Sequence, residues 1–135
     1  METKFNSFGI AVNEASIKNN FLPEGNFQIK PHFQSKIGKA NDGDNKYVVE
    51  ISVEFHNTTE NPFPIELIAR VSGFFNIEGD NQDEINNFLM TQGFQMVFPH
   101  LRALVANMTA NAMMPVITLP IMFANQFKED PVTDM

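Results

Sequence analysis

The chain has 135 residues, of which 43% are hydrophobic, so it suits one folded domain with a single core rather than a disordered segment. Its net charge of −7, with lysines and arginines scattered along the chain, excludes a basic surface for nucleic acid and disfavours binding to an anionic membrane. The absence of cysteine excludes disulfides, thiolate metal sites and a cysteine nucleophile.

The N-terminal sequence, METKFNSFGIAVNEAS, has no basic region followed by a long apolar run, which is the pattern of a signal peptide. No window of the chain reaches the roughly 18 uninterrupted apolar residues of a membrane helix. We therefore expect one cytoplasmic domain over residues 1–135, without direct membrane insertion and without nucleic acid as a partner. Phe8, Ile10 and Val12 alternate with other residues and predict a first, weak β-strand.

An apolar loop follows this first strand. Phe21, Leu22 and Pro23 stand between polar residues and lack the periodicity of a buried helix or strand face. Apolar side chains in such a loop either pack beneath the sheet or form part of an interaction surface. The residue pattern leaves both interpretations open.

Alternation of apolar and polar residues predicts three further strands, over residues 27–37, 47–55 and 63–71. The first two form a hairpin in which Lys36 faces Glu50 and His32 faces Glu54, so that residues of opposite charge are paired. In this register the apolar side chains share one face of an antiparallel sheet. The other face is polar and acidic, and its carboxylates are Glu50, Glu54 and Glu66.

The second half of the chain is predicted to be helical. Asn81 is followed three residues later by Glu84, which is the spacing of an N-terminal capping box. Pro99 suits the first turn of a helix, so a second helical run is predicted to start there. The apolar stripe of this run consists of Leu101, Leu104, Val105, Met108 and Ala112.

These elements predict an α+β domain: a four-stranded antiparallel sheet followed by a long helix and a short C-terminal helix. Residues 111–123 read NAMMPVITLPIMF and carry no charge. Pro115 is expected to end the long helix, and Pro120 to lie near the start of the short one. This uncharged segment either packs into a core or an oligomer interface, or serves as an interaction surface.

The sequence offers little catalytic chemistry. His32, Glu50 and Glu54 could together bind a metal, but their spacing matches no metal motif, and solvated polar pairs are the better explanation. No glycine-rich phosphate loop and no nucleophile elbow is present. We expect no enzyme activity and no cofactor, and an enzyme or ligand-binding domain using these three residues would require a bound metal.

Residues 73–123 resemble the SecB family of protein-export chaperones. The resemblance covers a strand that ends in GFFNI, a following helix, and a long helix that ends in a proline-broken apolar stretch. Its most distinctive motif consists of Phe98, Pro99, His100, Leu101 and Arg102. The family implies a sheet of four antiparallel strands, a long helix and a shorter helix. It also implies a homotetramer, a dimer of dimers whose long helices lie between two sheet layers; Leu101, Leu104, Val105 and Met108 would form this contact.

The resemblance further implies protein transport without catalysis. Such chaperones hold unfolded precursor proteins in the cytoplasm without ATP and can pass them to the translocation ATPase SecA. Their clients lie in long hydrophobic grooves. The matching positions of this chain are Phe21, Leu22 and Pro23 on one wall and Met113, Met114, Val116, Ile117, Leu119, Ile121, Met122 and Phe123 on the other.

Two features of the family bear on its partners. The acidic sheet face of the family contacts SecA, and here Glu50, Glu54 and Glu66 occupy that face, whereas Ile68 stands where a further acidic residue is expected. Some family members are instead dedicated to one partner, such as an antitoxin. The resemblance therefore predicts a general export chaperone, with a dedicated chaperone as the alternative.

Overall fold

The computed structural model describes residues 4–23, 25–39, 45–120, 128–129 and 133–134. The four long strands are β1 (Lys4–Asn19), β2 (His32–Lys39), β3 (Lys46–Phe55) and β4 (Ile65–Glu78). The helical part comprises α1 (Gln82–Phe88), a π-helical turn (Leu89–Gly93) and α2 (Phe94–Asn111). Two short strands, β5 (Lys128–Glu129) and β6 (Thr133–Asp134), complete the described elements.

The four long strands are antiparallel to their neighbours and lie in the order β1-β4-β3-β2. The predicted hairpin register is confirmed, because His32 pairs with Glu54 and Lys36 with Glu50. The predicted start of this hairpin is wrong, since β2 begins at His32 and not at residue 27. Pro31 has no amide proton to donate to the ladder, so regular pairing does not continue through it and residues 27–31 stay outside the strand.

The core lies between one face of the sheet and the helices. Alternate residues of the central strand β3, from Val49 to Phe55, are buried on this face. The helices cover them with Leu89, Val97 and other apolar side chains. The α+β architecture is thereby confirmed.

The N-terminal strand β1 is longer and more exposed than the alternation of Phe8, Ile10 and Val12 predicts. It runs along β4 at one edge of the sheet formed by the described strands. Its register shifts between Phe5 and Ser7 and again before Glu14. Because each shift changes which side chains share a face, a strict alternation does not persist along this strand.

The predicted helix cap is confirmed, since the Asn81 side-chain oxygen accepts a hydrogen bond of 3.1 Å from the Glu84 amide. The prediction that the second helical run begins at Pro99 is wrong. Helix α2 begins at Phe94 and Pro99 lies inside it. Burial of Val97 and Phe98 against the sheet offsets the hydrogen bond that the proline cannot donate.

The predicted C-terminal helix is wrong at Lys128–Glu129, which form β5. These residues pair in parallel with Gln34 and Ser35 of β2. An acidic residue such as Glu129 would destabilise the C-terminal end of a helix, whereas the edge of β2 supplies hydrogen-bonding partners for an extended chain. Residues 121–127, which carry the rest of the predicted helix, lie outside the described ranges.

Candidate functional site

The end of α2 is set by a left-handed residue. Met113 has a φ of 60°, its amide donates to the Ala110 carbonyl at 3.1 Å, and the Met114 amide donates to the Thr109 carbonyl at 3.0 Å. This pair of bonds is the Schellman motif, in which glycine is usual at the left-handed position. The chain therefore leaves the helix before Pro115, the residue from which the sequence predicts the helix end.

Met113 is an unusual residue for this position, because its Cβ opposes a positive φ and its side chain is 91% exposed. We expect Met113→Gly to raise the free energy of unfolding by about 1 kcal/mol. Glycine adopts this positive φ without strain, and the exposed methionine side chain contributes little buried surface that could be lost. Met113→Ala is the matched control, because alanine shortens the side chain but keeps the Cβ. Denaturant unfolding measures both variants, and a glycine variant no more stable than the alanine variant would contradict this account.

The segment that begins at Met113, residues 113–120, runs back along α2 and is named the strap. The amide of Ile117 donates to the hydroxyl oxygen of Thr109 at 3.0 Å. Nε of Arg102 donates to the carbonyl of Leu119 at 2.7 Å. As the strap advances from residue 117 to residue 119, its helical partners recede from residue 109 to residue 102, so the two segments are antiparallel.

An apolar groove of about 540 Å³ lies beside the strap. Residues of the strap form one side, namely Met114, Pro115, Val116, Ile117, Thr118, Leu119 and Pro120. The other side consists of Phe27, Ile29, Pro31, Phe63, Pro64 and Ile65. None of these lining residues is charged, and Thr118 alone among them has a polar side chain. The groove therefore suits an uncharged, apolar ligand.

The strap places four of the predicted groove residues together. Met114, Val116, Ile117 and Leu119 all line the groove. Leu119 is buried and anchors the segment, whereas Val116 is 57% exposed. Met113 is not among the lining residues. Ile121, Met122 and Phe123 lie outside the described residues.

The loop of Phe21, Leu22 and Pro23 does not line this groove. Phe21 has a φ of 51° and is 86% exposed, and its amide donates to the Asn19 side chain at 2.7 Å. The neighbouring Asn20 amide donates to the Pro64 carbonyl at 2.9 Å. The loop therefore starts beside the rim of the groove without entering its wall.

Sequence reasoning missed the wall opposite the strap. Phe27, Ile29 and Pro31 share the alternation of a strand but precede β2, so their side chains are free to face the groove. Pro31 was the available signal, since a proline there argues against a regular central ladder. Phe63 and Pro64 similarly precede β4.

Basic groups contact two of the three predicted carboxylates on the polar face of the sheet. Arg70 lies between two carboxylates, with Nε 3.3 Å from Glu50 and an Nη nitrogen 3.2 Å from Glu14. Glu54 contacts His56 at 3.1 Å. Glu66 pairs in register with Lys18 of β1. Arg70 and His56 therefore stand beside Glu50 and Glu54 of the predicted translocase-contact face, whereas for Glu66 the facing residue in the strand register is Lys18.

The predicted oligomer stripe divides into two parts. Leu101 and Val105 are fully buried in the core of the chain itself. Leu104 and Met108 are partly buried against the same core and keep some exposed surface. Only this second pair has side-chain surface left for another subunit.

Two further features concern metals and membranes. The rings of His32 and His56 lie 5.7 Å apart, but no group of three metal-ligating side chains is found within the part of the chain that the structure describes. Among the described residues, no helix combines the length and apolar character that a membrane crossing requires.

Comparisons with known proteins agree with the resemblance. Residues 4–132 match the family model described as preprotein translocase subunit SecB. The protein-export protein SecB of Afipia carboxidovorans is 28% identical over 98 residues, which cover 72% of this chain and 61% of that protein. The SecB of Ruegeria sp. is 23% identical over 124 residues, covering 87% and 76%.

Two more relatives complete the comparison. An uncharacterized protein of Methanocaldococcus jannaschii is 35% identical over 57 residues, which are 42% of this chain and 37% of that protein. The match thus spans less than two thirds of this relative and of the Afipia protein. A SecB-like chaperone of Mycobacterium tuberculosis, solved with a peptide from the HigA1 antitoxin, has a TM-score of 0.68 at 16% identity and covers 89% of this chain and 90% of its own. At 16% identity, the similarity between this chain and the Mycobacterium tuberculosis chaperone shows a shared fold.

Proposed function

Since the chain belongs to the SecB family, we propose that it is an ATP-independent chaperone that holds unfolded proteins, its clients, in the apolar groove. One observation carries this proposal: a groove of about 540 Å³ whose described lining residues are all uncharged, and in which Val116 and Ile29 are exposed. Unfolded chains expose apolar segments that a folded protein hides, and such a groove covers them.

The chemistry of the groove supports broad rather than narrow recognition. Its side chains offer apolar area with few fixed hydrogen bonds, so different client sequences are accepted. Met114 has a flexible side chain that can re-pack around varied partners. A net charge of −7 keeps such a surface soluble. The role is therefore one of holding clients, without catalysis.

The test is suppression of aggregation. Insulin reduced with dithiothreitol is a suitable client, because this chain has no cysteine and the reductant leaves it unchanged. We expect an equimolar amount of the protein to suppress the light scattering of the reduced insulin chains. A folded acidic protein of similar size serves as the control. Scattering equal to that control would contradict the proposal.

Export of preproteins is the leading form of this function. Handover to SecA would use the sheet face with Glu50, Glu54 and Glu66, and assembly as a homotetramer, a dimer of dimers, would use Leu104 and Met108. The SecB names of the relatives support a cytoplasmic export role. Arg70 beside Glu50 and the apolar Ile68 weaken the acidic character of that face.

A dedicated partner is the second candidate, because the Mycobacterium tuberculosis chaperone of similar fold was solved with an antitoxin peptide. Purification of the tagged protein from its own cells separates the two. A general chaperone brings down many unfolded proteins, whereas a dedicated one brings down one dominant protein.

A further inference from the structure

Two side chains of α2 hold the strap at separate points. Thr109 accepts a hydrogen bond from the Ile117 amide, and Arg102 donates one to the Leu119 carbonyl. We propose that these two residues, named the clamp, are positioning residues that fix the strap as a preformed wall of the groove. This inference rests on the proposed function and concerns how the same groove is kept ready for clients.

Thr109 is suited to this role by its burial. It is 0% exposed, and its hydroxyl donates to the Val105 or Ala106 carbonyl at 3.0 or 3.1 Å while accepting from the Ile117 amide. The hydroxyl proton is engaged within the helix, so the oxygen is left as an acceptor for the strap. A partly buried amide without an acceptor is unfavourable. Loss of this oxygen should therefore release the strap at residue 117.

Arg102 is suited to its role by its length. From residue 117 to residue 119 the strap advances at most about 7 Å. From residue 109 to residue 102 the helix axis advances about 10.5 Å. A long side chain is needed to cover the difference, and the arginine does so with a charge-assisted hydrogen bond of 2.7 Å.

The strap needs such support because its own backbone supplies little. Pro115 and Pro120 have no amide proton, and the strap has no regular secondary structure. A groove wall that is already ordered costs less conformational entropy when a client binds. The clamp should therefore raise client affinity without touching the client.

Threonine variants test the first half of the clamp. Thr109→Val keeps the shape but removes the oxygen, whereas Thr109→Ser keeps the oxygen and removes a methyl group. We expect Thr109→Val to weaken binding of reduced, carboxymethylated α-lactalbumin about tenfold, and Thr109→Ser to stay within about twofold of the wild type. Fluorescence anisotropy measures the affinity. Hydrogen exchange of residues 113–120 in the client-free protein should be faster in the valine variant alone.

The chain offers a matched control for this substitution. The Thr91 hydroxyl also donates to a helix carbonyl, that of Asn87 at 2.7 Å, but Thr91 is not among the residues that line the groove. Thr91→Val should leave both the client affinity and the hydrogen exchange of the strap unchanged.

For the second half of the clamp, Arg102→Met should weaken client binding about tenfold. Arg70→Met is its control, because Arg70 lies on the opposite face of the sheet, and this variant should keep the wild-type affinity.

The outcomes separate the clamp from the proposed function. If Thr109→Ser binds as weakly as Thr109→Val, packing rather than the hydroxyl matters and the inference is overturned. Unchanged strap exchange in Thr109→Val, or faster exchange with unchanged affinity, overturns it as well. If the wild type does not bind the unfolded client, the proposed function fails, and strap exchange alone then decides whether the clamp exists.

Discussion

Replacing Ile29 and Val116 together with serine is expected to weaken client binding roughly 30- to 140-fold. These residues stand on opposite walls of the groove, and each is 57% exposed in the free protein. A bound client would cover this apolar surface, and each serine forfeits about 1–1.5 kcal/mol of that burial. Because both side chains are exposed before binding, the fold itself should tolerate the change. Anisotropy with carboxymethylated α-lactalbumin provides the measurement.

The control for this variant is Val12→Ser. Val12 is 56% exposed, lies on β1 and does not line the groove. The Val12→Ser variant should bind the client with the affinity of the wild type. If the Ile29 and Val116 double variant also retains wild-type affinity while its circular dichroism is unchanged, the groove is not where clients bind.

Gly73→Ala should destabilise the fold by about 1–3 kcal/mol. Gly73 lies on β4 where α2 crosses the sheet, and an added Cβ would overlap the buried Val97 side chain. The same atom would stand 3.0 Å from the Phe8 ring and 3.1 Å from the Phe75 ring. The helix or the rings would have to move away from the sheet. Urea unfolding at one fixed protein concentration measures the effect, because association of subunits shifts apparent stability.

Gly9→Ala is the counterpart of this experiment. Gly9 lies on the edge strand β1, and a Cβ there would meet no atom within 4 Å. Gly9→Ala should leave the free energy of unfolding unchanged or raise it by up to about 1 kcal/mol, since alanine loses less conformational entropy than glycine on folding. Equal stability of the two alanine variants would mean that α2 does not approach the sheet closely at Gly73.

The sheet was predictable because its signals are local. Alternation assigns each residue of β3 to one face, and only one register of the hairpin pairs Lys36 with Glu50 while keeping the apolar residues together. The cap at Asn81 is equally local, since its partner Glu84 is three residues away.

Other parts depend on contacts between distant residues. Pro99 is a poor interior residue by propensity, and burial of its neighbours on the sheet keeps it inside α2. Met113 occupies a left-handed position where glycine is usual, so the end of α2 carries no ordinary sequence signal. Tertiary packing outweighs local preference in both cases.

Only one wall of the candidate site, the strap, was predictable, because the other wall is also defined by contacts between distant residues. The strap is conspicuous because it is uncharged and contains two prolines. The facing wall at residues 27–31 has the same alternation as a paired strand, and only the three-dimensional path distinguishes them. The bond from Arg102 to Leu119 joins residues 17 positions apart, which no helical or strand period indicates.

Crosslinking from the groove tests the central claim most directly. A photoreactive amino acid replaces Val116 in one variant and Val12 in another, and each is illuminated with carboxymethylated α-lactalbumin. If clients lie in the groove, we expect crosslinks from position 116 to the unfolded client and none above background from position 12. We also expect none from position 116 to native α-lactalbumin. Absence of crosslinks from position 116 while the same mixture shows binding by anisotropy would contradict it.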